Sequence, residues 1–219
     1  MIQLINVSYT YVGKYQRVDA LRGIDYTFEP GKLYTIMGAS GSGKSTLLSL
    51  MMGYDRPTTG EIRLNNKPIN QIPPHTYRTE QVSMIYQDLN LLPHLTVLEN
   101  AAFSLTLRKV SRAEAYQAAA EQLRALGLSD AYFKRMPSML SGGEQQRVAI
   151  ARAVCAGVKV LLADEPTGSL DSSNTQVVMN CFRQLVSEKG CTVIIVTHDP
   201  EVAKHADIPL KLKDGLLLT

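Results

Sequence analysis

A glycine-rich segment that separates a short apolar run from a helix-forming run constrains this 219-residue chain more than any other feature. The segment fits the pattern G-x-x-x-x-G-K-[ST]. It comprises Gly38, Ala39, Ser40, Gly41, Ser42, Gly43, Lys44 and Ser45. Residues 32–37 before it have the composition of a buried strand, and residues 44–52 after it that of a helix. In this strand–loop–helix context, backbone N–H groups and the helix N-terminus surround phosphate oxygens. The pattern therefore predicts an α/β fold that binds a nucleoside triphosphate.

Side chains within and just after this loop have expected roles on the nucleotide. We expect Lys44 to reach the β- and γ-phosphates and the Ser45 hydroxyl to ligate Mg²⁺. Thr46 is expected to contact the α-phosphate. Glycine at positions 38, 41 and 43 lets the backbone turn its N–H groups inward.

Two acidic residues follow a second apolar run, residues 160–163. A buried strand that ends in a carboxylate places that group where open α/β sheets bind their ligands. Asp164 is the expected Mg²⁺ partner, and Glu165 is the candidate general base for an attacking water. Pro166 and Gly168 leave a solvated turn as the alternative, but the fully apolar strand favours the functional interpretation.

Polar residues also follow two other apolar runs. Gln87 comes after residues 82–86, and its amide is a candidate sensor of the γ-phosphate and a candidate metal contact. His198 comes after residues 192–197, beside the same predicted crevice, and is a candidate catalytic residue. Taken alone, each has a structural alternative: an exposed strand-end amide for Gln87 and a hydrogen-bonded structural histidine for His198.

A second glycine-rich segment, LSGGEQQ at residues 140–146, opens a predicted helix over 144–156. Ser141 and Glu144 have the spacing of a helix cap, and Gly142 and Gly143 lie between them. One nucleotide does not need two anion-binding helix N-termini in one subunit. We therefore expect this segment to close on the nucleotide of a second molecule.

Composition excludes several classes of protein. The chain is 45% hydrophobic and 20% charged, which is typical of a soluble globular protein. Its net charge of +3 comes with scattered basic residues, so no nucleic-acid partner is expected. No apolar run approaches the ~20 residues of a membrane-spanning helix, and no signal peptide is apparent. The three cysteines have no CxxC spacing, which favours reduced, buried thiols in the cytoplasm.

Hydrophobic periodicity predicts the layout of the chain. Residues 2–11 and 23–28 alternate as in a half-exposed antiparallel sheet, and two β-branched runs flank a helix over 172–188, which predicts parallel strands. We predict one domain over residues 1–219. Residues 1–87 and 157–219 form its α/β core, and residues 88–156 form an inserted helical lobe.

The chain resembles the ATPase subunit of an ABC transporter over essentially its whole length. The resemblance is carried by motifs in a fixed order: the phosphate loop, Gln87, LSGGEQQ, the Asp164-Glu165 pair and His198. The resemblance implies a P-loop NTPase core with a mixed, largely parallel sheet flanked by helices, an N-terminal antiparallel β subdomain and an inserted α-helical subdomain. It implies ATP and Mg²⁺ as cofactors. It also implies a head-to-tail homodimer, with ATP between the phosphate loop of one copy and residues 141–143 of the other. An integral membrane permease on a separate chain, at the cytoplasmic face of the membrane, would be the partner.

The same resemblance assigns further contacts. Ser169, Leu170 and Asp171 match the loop through which the two copies of such dimers communicate, and an upstream aromatic residue stacks on adenine. Tyr11 is the first choice for that residue, with Tyr9 and Tyr15 near enough to remain candidates.

Within the family, the chain is most similar to the lipoprotein-release, macrolide-export and cell-division group. The supporting stretches are residues 20–24, 37–43, 55–60 and 164–168, whereas residues 51–54 depart from the usual pattern. This similarity implies export or extrusion of a peptide, lipid-linked or hydrophobic cargo. The alternative is regulation of a cell-envelope enzyme through a membrane partner. A soluble ATPase for DNA repair or the ribosome is disfavoured, because the chain has neither a tandem cassette nor a coiled-coil insertion.

Overall fold

A six-stranded mixed sheet forms the centre of the protein in a computed structural model that describes residues 1–168 and 170–218. Its strand order is β10-β9-β3-β8-β7-β6, and all neighbouring pairs are parallel except β9 and β10. The strands are β3 Leu33–Met37, β6 Val82–Ile85, β7 Val160–Asp164, β8 Thr192–Thr197, β9 Ile208–Lys213 and β10 Leu216–Leu218. Every residue of β7 and β8 is buried, as expected for parallel strands that are covered on both faces.

A second sheet, which is antiparallel, has the strand order β2-β1-β4-β5. Its strands are β1 Ile2–Val12, β2 Arg17–Phe28, β4 Thr59–Leu64 and β5 Lys67–Pro68. Strand β2 begins at Arg17, well before the predicted start at residue 23. The added residues are mostly exposed and have no apolar alternation, and pairing with β1 places them in the sheet.

Helices fill the long connections. They are α1 Lys44–Met51, α2 Pro74–Thr76, α3 Val97–Leu107, α4 Arg112–Ala125, α5 Gly142–Cys155, α6 Ser172–Lys189 and α7 Pro200–Ala203. A π-helical turn, Tyr77–Gln81, follows α2, and short 3₁₀ turns cover Ile69–Gln71, Asp130–Tyr132 and Pro137–Met139. Helices α3, α4 and α5, which lie between β6 and β7 in the sequence, pack on one another. Within the described residues, no helix is both long and apolar enough to cross a membrane.

The buried side chains form two hydrophobic clusters on opposite faces of the central sheet. Successive residues of a strand alternate between them: Leu161 and Ala163 belong to the cluster under helices α3–α6, and Val160 and Leu162 to the cluster under the antiparallel sheet. Both faces of the sheet are therefore covered. The exposed edge at the carboxyl ends of the parallel strands remains for ligands.

Candidate functional site

The carboxyl ends of four neighbouring parallel strands, β3, β8, β7 and β6, meet at one edge of the central sheet. A cavity of about 1040 Å³ lies there. It is lined by these residues singled out from the sequence: Tyr11, Ser40, Gly41, Gly43, Lys44, Ser45, Thr46, Gln87, Asp164, Glu165 and His198. The fold thus brings together side chains that are up to 187 positions apart in the chain, from Tyr11 to His198.

The phosphate loop joins β3 to α1, and Gly43 packs closely against β2. Lys44 Nζ donates to the carbonyls of Gly38, at 2.8 Å, and Ala39, at 3.0 Å, so its ammonium group lies over the loop. Gly43, at φ 104°, precedes the helix, and a Cβ there would lie 2.5 Å from the Ala20 carbonyl oxygen. A Cβ on Gly41 would meet nothing within 4 Å. The loop therefore requires glycine at position 43 and leaves open space over position 41.

Hard oxygen ligands lie next to this loop. The Ser45 hydroxyl donates to Asp164 Oδ2 at 3.0 Å, across the gap between α1 and β7. Burial raises the pKa of Asp164, although the Ser45 hydrogen bond and Lys44 oppose that effect. A divalent cation would offset the unfavourable burial of this carboxylate. Among the described residues no group of three or more His, Cys, Asp or Glu forms a metal cage. A hydroxyl and one carboxylate suit Mg²⁺, which takes its other ligands from water and phosphate.

The carboxylate of Glu165 is held from two directions. His198 Nδ1 lies 2.7 Å from Glu165 Oε1, and the Thr197 hydroxyl donates to Oε2 at 3.1 Å. Glu165 has a positive φ of 48°, and its side chain is 13% exposed, against 76% for His198. This left-handed backbone conformation at the end of a buried strand directs the carboxylate to the cavity wall.

Comparison with known proteins identifies the family. The sequence profile of the family described as ABC transporter matches residues 21–168. An uncharacterized ABC transporter ATP-binding protein of Mycobacterium tuberculosis is 40% identical over 221 residues, which cover 100% of this chain and 89% of that protein. The chain belongs to the ABC transporter family. The macrolide export ATP-binding/permease protein MacB of Rhodopirellula baltica is also 40% identical, over 99% of this chain and 32% of that protein.

Solved structures agree with this assignment. A dimeric structure of the ABC transporter cassette MJ0796 of Methanocaldococcus jannaschii is 38% identical, with a TM-score of 0.94 over 99% of this chain and 96% of that chain. A second dimeric structure of MJ0796, in a post-hydrolysis state bound to ADP and Pi, has a TM-score of 0.93 and 37% identity. The chain is therefore an ATP-binding and ATP-hydrolysing subunit of the ABC transporter type, which uses ATP with Mg²⁺.

The LSGGEQQ segment of this ABC subunit lies away from the nucleotide cavity, since none of its described residues lines that cavity. Ser141 caps α5 in a reciprocal capping box: its hydroxyl accepts from Glu144 N at 3.3 Å, and its own N–H donates to Glu144 Oε2 at 2.7 Å. The bond from the Ser141 backbone lowers the pKa of Glu144. Gly142 is exposed, and a Cβ there would meet nothing within 4 Å. The helix N-terminus is thus open to the surface at Ser141 and Gly142, and Gly143 is half-buried.

The loop expected to communicate between subunits is only partly described. Asp171 caps α6 by accepting from Asn174 N at 2.8 Å, and this bond lowers the pKa of Asp171. Leu170 packs against the cluster under the helices, and Ser169 lies outside the described residues. Within this chain Asp171 does not reach the nucleotide cavity.

The three candidate tyrosines differ in position. Tyr11 lines the cavity, is 48% exposed, and its hydroxyl is hydrogen-bonded to Thr46 Oγ1 at 3.1 Å. The Tyr9 ring packs edge-on against Tyr11 with 4.9 Å between centroids, and it belongs to the border of a hydrophobic cluster. Tyr15 is 89% exposed and does not line the cavity. Of the three tyrosines, Tyr11 is the one that lines the cavity.

Part of the cavity wall was not predicted from the sequence. It is formed by Val18, Asp19, Ala20 and Arg22 of β2 and by Asp214 and Gly215 of the β9–β10 turn. The Gly215 N–H donates to the Ser42 carbonyl at 3.3 Å, and the Arg22 N–H donates to the Gly215 carbonyl at 2.9 Å. An Asp-Gly pair, here Asp214 and Gly215, is a hairpin signal where it separates alternating apolar residues such as Leu210, Leu212 and Leu216. That signal could have located the turn, but not its contact with the phosphate loop.

Proposed function

We propose that the cavity at the strand ends is where this chain carries out its ATP hydrolysis, and that Glu165 is the general base that accepts a proton from the attacking water. The observation that carries the proposal is that Glu165 is fixed by His198 and Thr197 in the same cavity as Lys44. His198 orients the base. Bound Mg²⁺ would neutralise charge that develops on the phosphates.

The other residues of the cavity each bind a different part of MgATP. Lys44 turns from its loop carbonyls to the β- and γ-phosphates, and the loop N–H groups bind the same oxygens. Ser45 and Asp164 hold the metal, and Gln87, which is exposed at the cavity, approaches it from β6. Tyr11 stacks on adenine, next to the Thr46 hydroxyl. The loop residues Gly38, Ala39, Ser40, Gly41, Ser42 and Gly43 complete the binding site.

Two copies of the chain close head to tail on the nucleotide in this proposal. The open N-terminus of α5, with Ser141, Gly142, Gly143 and Glu144, then lies on the γ-phosphate held by the other copy. Asp171 lies at the same interface. The dimeric structures of the similar cassette MJ0796 support this arrangement.

The dimer acts on a membrane permease at the cytoplasmic face of the membrane. The name of MacB joins an ATP-binding and a permease function, and this chain covers 32% of that protein. The Mycobacterium tuberculosis relative, named only for ATP binding, is covered over 89% of its length, which supports a permease on a separate chain. Residues 88–99, with the half-buried Leu91, Leu92 and Leu95, offer the contact surface in the helical lobe. The cargo is one that is exported or extruded.

The decisive experiment replaces the proposed base by its isosteric amide. Glu165→Gln is expected to bind ATP with unchanged affinity, to hydrolyse it at least about 100-fold more slowly, and to accumulate as an ATP-bound dimer. Phosphate release measures the rate, and size-exclusion chromatography with and without ATP measures the dimer. The matched control is Glu201→Gln, since Glu201 is a 70% exposed carboxylate on α7 that pairs with Lys204. Turnover of Glu165→Gln at the rate of the control would exclude Glu165 as the base.

A further inference from the structure

The backbone directly after Gln87 adopts a conformation that its residues disfavour. Leu89, at φ 56°, and Asn90, at φ 48°, are consecutive non-glycine residues in the left-handed region. Asparagine enters this region with modest strain, but a leucine does so rarely. Such a conformation persists only where surrounding contacts hold it.

Besides the local backbone bond from the Leu89 N–H to the Tyr86 carbonyl at 3.1 Å, Arg152 on α5 supplies side-chain contacts to both left-handed residues. Its Nη2 donates to the Leu89 carbonyl and its Nη1 to the Asn90 carbonyl, both at 2.7 Å. The planar guanidinium thus spans two adjacent carbonyls, which the single ammonium of a lysine cannot do in the same way. Burial lowers the pKa of Arg152, and Tyr86 opposes that effect.

The loop is held at its far end by a different residue. The Asn100 side chain, buried on α3, accepts from Leu92 N at 2.8 Å and donates to the Leu92 carbonyl at 3.0 Å. The Ser104 hydroxyl of the same helix donates to the Arg152 carbonyl at 2.9 Å, which joins α3 to α5. Residues 88–92 therefore lie between two fixed points, and Arg152 is the one closer to Gln87.

From these contacts we propose that Arg152 is a positioning residue for hydrolysis: by holding Leu89 and Asn90 left-handed, it directs Gln87 to the nucleotide cavity. The proposal rests on the proposed function. Because Arg152 lies on α5, the helix that begins at Ser141, it also connects Gln87 to the segment that meets the second copy. None of these contacts involves the phosphate loop. We therefore expect Arg152 to govern the rate of hydrolysis and not the affinity for ATP.

The test is the variant Arg152→Lys, which keeps the positive charge and removes the guanidinium that bonds to both carbonyls. We expect kcat to fall about tenfold, while the Kd for ATP, measured in the Glu165→Gln background, stays within about twofold. Arg108→Lys is the matched control, since Arg108 donates Nη1 to the Ala156 carbonyl in the same lobe without touching the loop. It is expected to keep the kcat and Kd of the unmodified protein.

Rescue separates positioning from a general structural effect. Leu89→Gly removes the penalty of the left-handed conformation, so Arg152→Lys combined with Leu89→Gly should recover most of the lost kcat. Leu89→Val makes the left-handed conformation less favourable while Arg152 is intact, so it should lower kcat as Arg152→Lys does. It replaces Arg152→Lys as the test if that variant does not fold.

Three outcomes would overturn the proposal. The first is an unchanged kcat in Arg152→Lys or, where that variant does not fold, in Leu89→Val. The second is an equal loss of kcat in Arg108→Lys. The third is a loss of kcat in Arg152→Lys that Leu89→Gly does not reverse. The proposed function fails separately, if Glu165→Gln still hydrolyses ATP.

Discussion

At the scale of single residues, the proposed base depends on neighbours that follow one another in the chain. His198 and Thr197 hold the two carboxylate oxygens of Glu165, so a single strand end, that of β8, fixes the base on both sides. The Thr197 hydroxyl also accepts from Asp199 N at 3.0 Å, which leaves its proton directed at Glu165. Thr197 is completely buried, and its hydroxyl therefore has a fixed orientation.

Removal of this hydroxyl should slow hydrolysis without weakening nucleotide binding. We expect Thr197→Val, which conserves shape, to lower kcat about tenfold, because a hydrogen bond to a charged group contributes about 1.5 kcal/mol. Thr197→Ser keeps the hydroxyl and should retain most of the rate. Steady-state phosphate release and ATP titration measure the two quantities.

The control for that experiment lies on the same strand. Thr192, at the other end of β8, is also buried, and its hydroxyl donates to the Glu29 carbonyl at 3.4 Å, away from the cavity. Thr192→Val should leave kcat unchanged. If both valine variants lost the same activity, the effect would belong to the strand and not to Glu165.

At this scale, sequence patterns identify the residues proposed to bind the ligand, but not the residues that hold them in position. The phosphate loop, Asp164 and Glu165 are recognisable because their residue types and spacing follow from the ligand they are proposed to bind. Arg152 and Thr197 act through contacts with residues 62 and 32 positions away, and no local pattern reports such a contact. The left-handed conformation of Leu89 is likewise absent from the sequence, since leucine gives no signal for it.

At the scale of elements, two helices begin with the same capping box. Thr96 and Glu99 start α3, and Ser141 and Glu144 start α5, with the reciprocal side-chain and backbone bonds present in both. Loss of either cap should cost about 1 kcal/mol of the free energy of unfolding. Of these two helices, only α5 is proposed to meet a nucleotide with its N-terminus.

This pair of caps allows stability and function to be separated. Ser141→Ala and Thr96→Ala are expected to lower the free energy of unfolding equally, by about 1 kcal/mol, as measured by urea titration. Ser141→Ala should in addition prevent the ATP-dependent dimer in the Glu165→Gln background, because its hydroxyl is lost from the interface. An ATP-dependent dimer that survives in Ser141→Ala to the same extent as in Thr96→Ala would contradict the interfacial role of Ser141.

Strongly apolar elements were predicted well, and mixed ones were not. Strand β8 has the predicted bounds, and α6 ends one residue beyond the predicted 172–188. Strands β9 and β10 were missed, because only alternate residues of β9 are buried and β10 has three residues. The register of β9 is set by pairing with β3, a long-range contact that local periodicity does not contain, and β10 pairs with β9.

At the scale of the whole molecule, the two hydrophobic clusters explain why a single sheet edge carries the site. Covering both faces of β7 and β8 leaves the strand ends as the accessible polar region. The three cysteines, predicted to be buried thiols, are free and buried in the cluster that joins α5, α6 and the sheet. The thiols therefore report on the integrity of that packing.

Ionisation of these thiols should make the stability of the molecule depend on pH in the alkaline range. Burial raises the pKa of Cys155 from 9.0 to about 12 and the pKa values of Cys181 and Cys191 to about 11. Below pH 9 the thiols are protonated in both states, so their contribution is fully present. Above pH 9 the unfolded thiols ionise first, which favours unfolding, and the contribution is lost as the pH rises towards the folded pKa values.

The expected loss is large enough to measure. Between pH 8 and pH 10 each thiol should remove about 1 kcal/mol, and the three together about 3–4 kcal/mol, of the free energy of unfolding. Urea titrations at pH 8, 9 and 10 should show a steeper decline for the unmodified protein than for a variant with alanine at positions 155, 181 and 191. Other groups that titrate in this range are common to both proteins, so the difference in slope isolates the thiols. Parallel declines would mean that the thiols ionise as readily in the folded protein as in the unfolded chain, and that the cluster around α5 and α6 admits water.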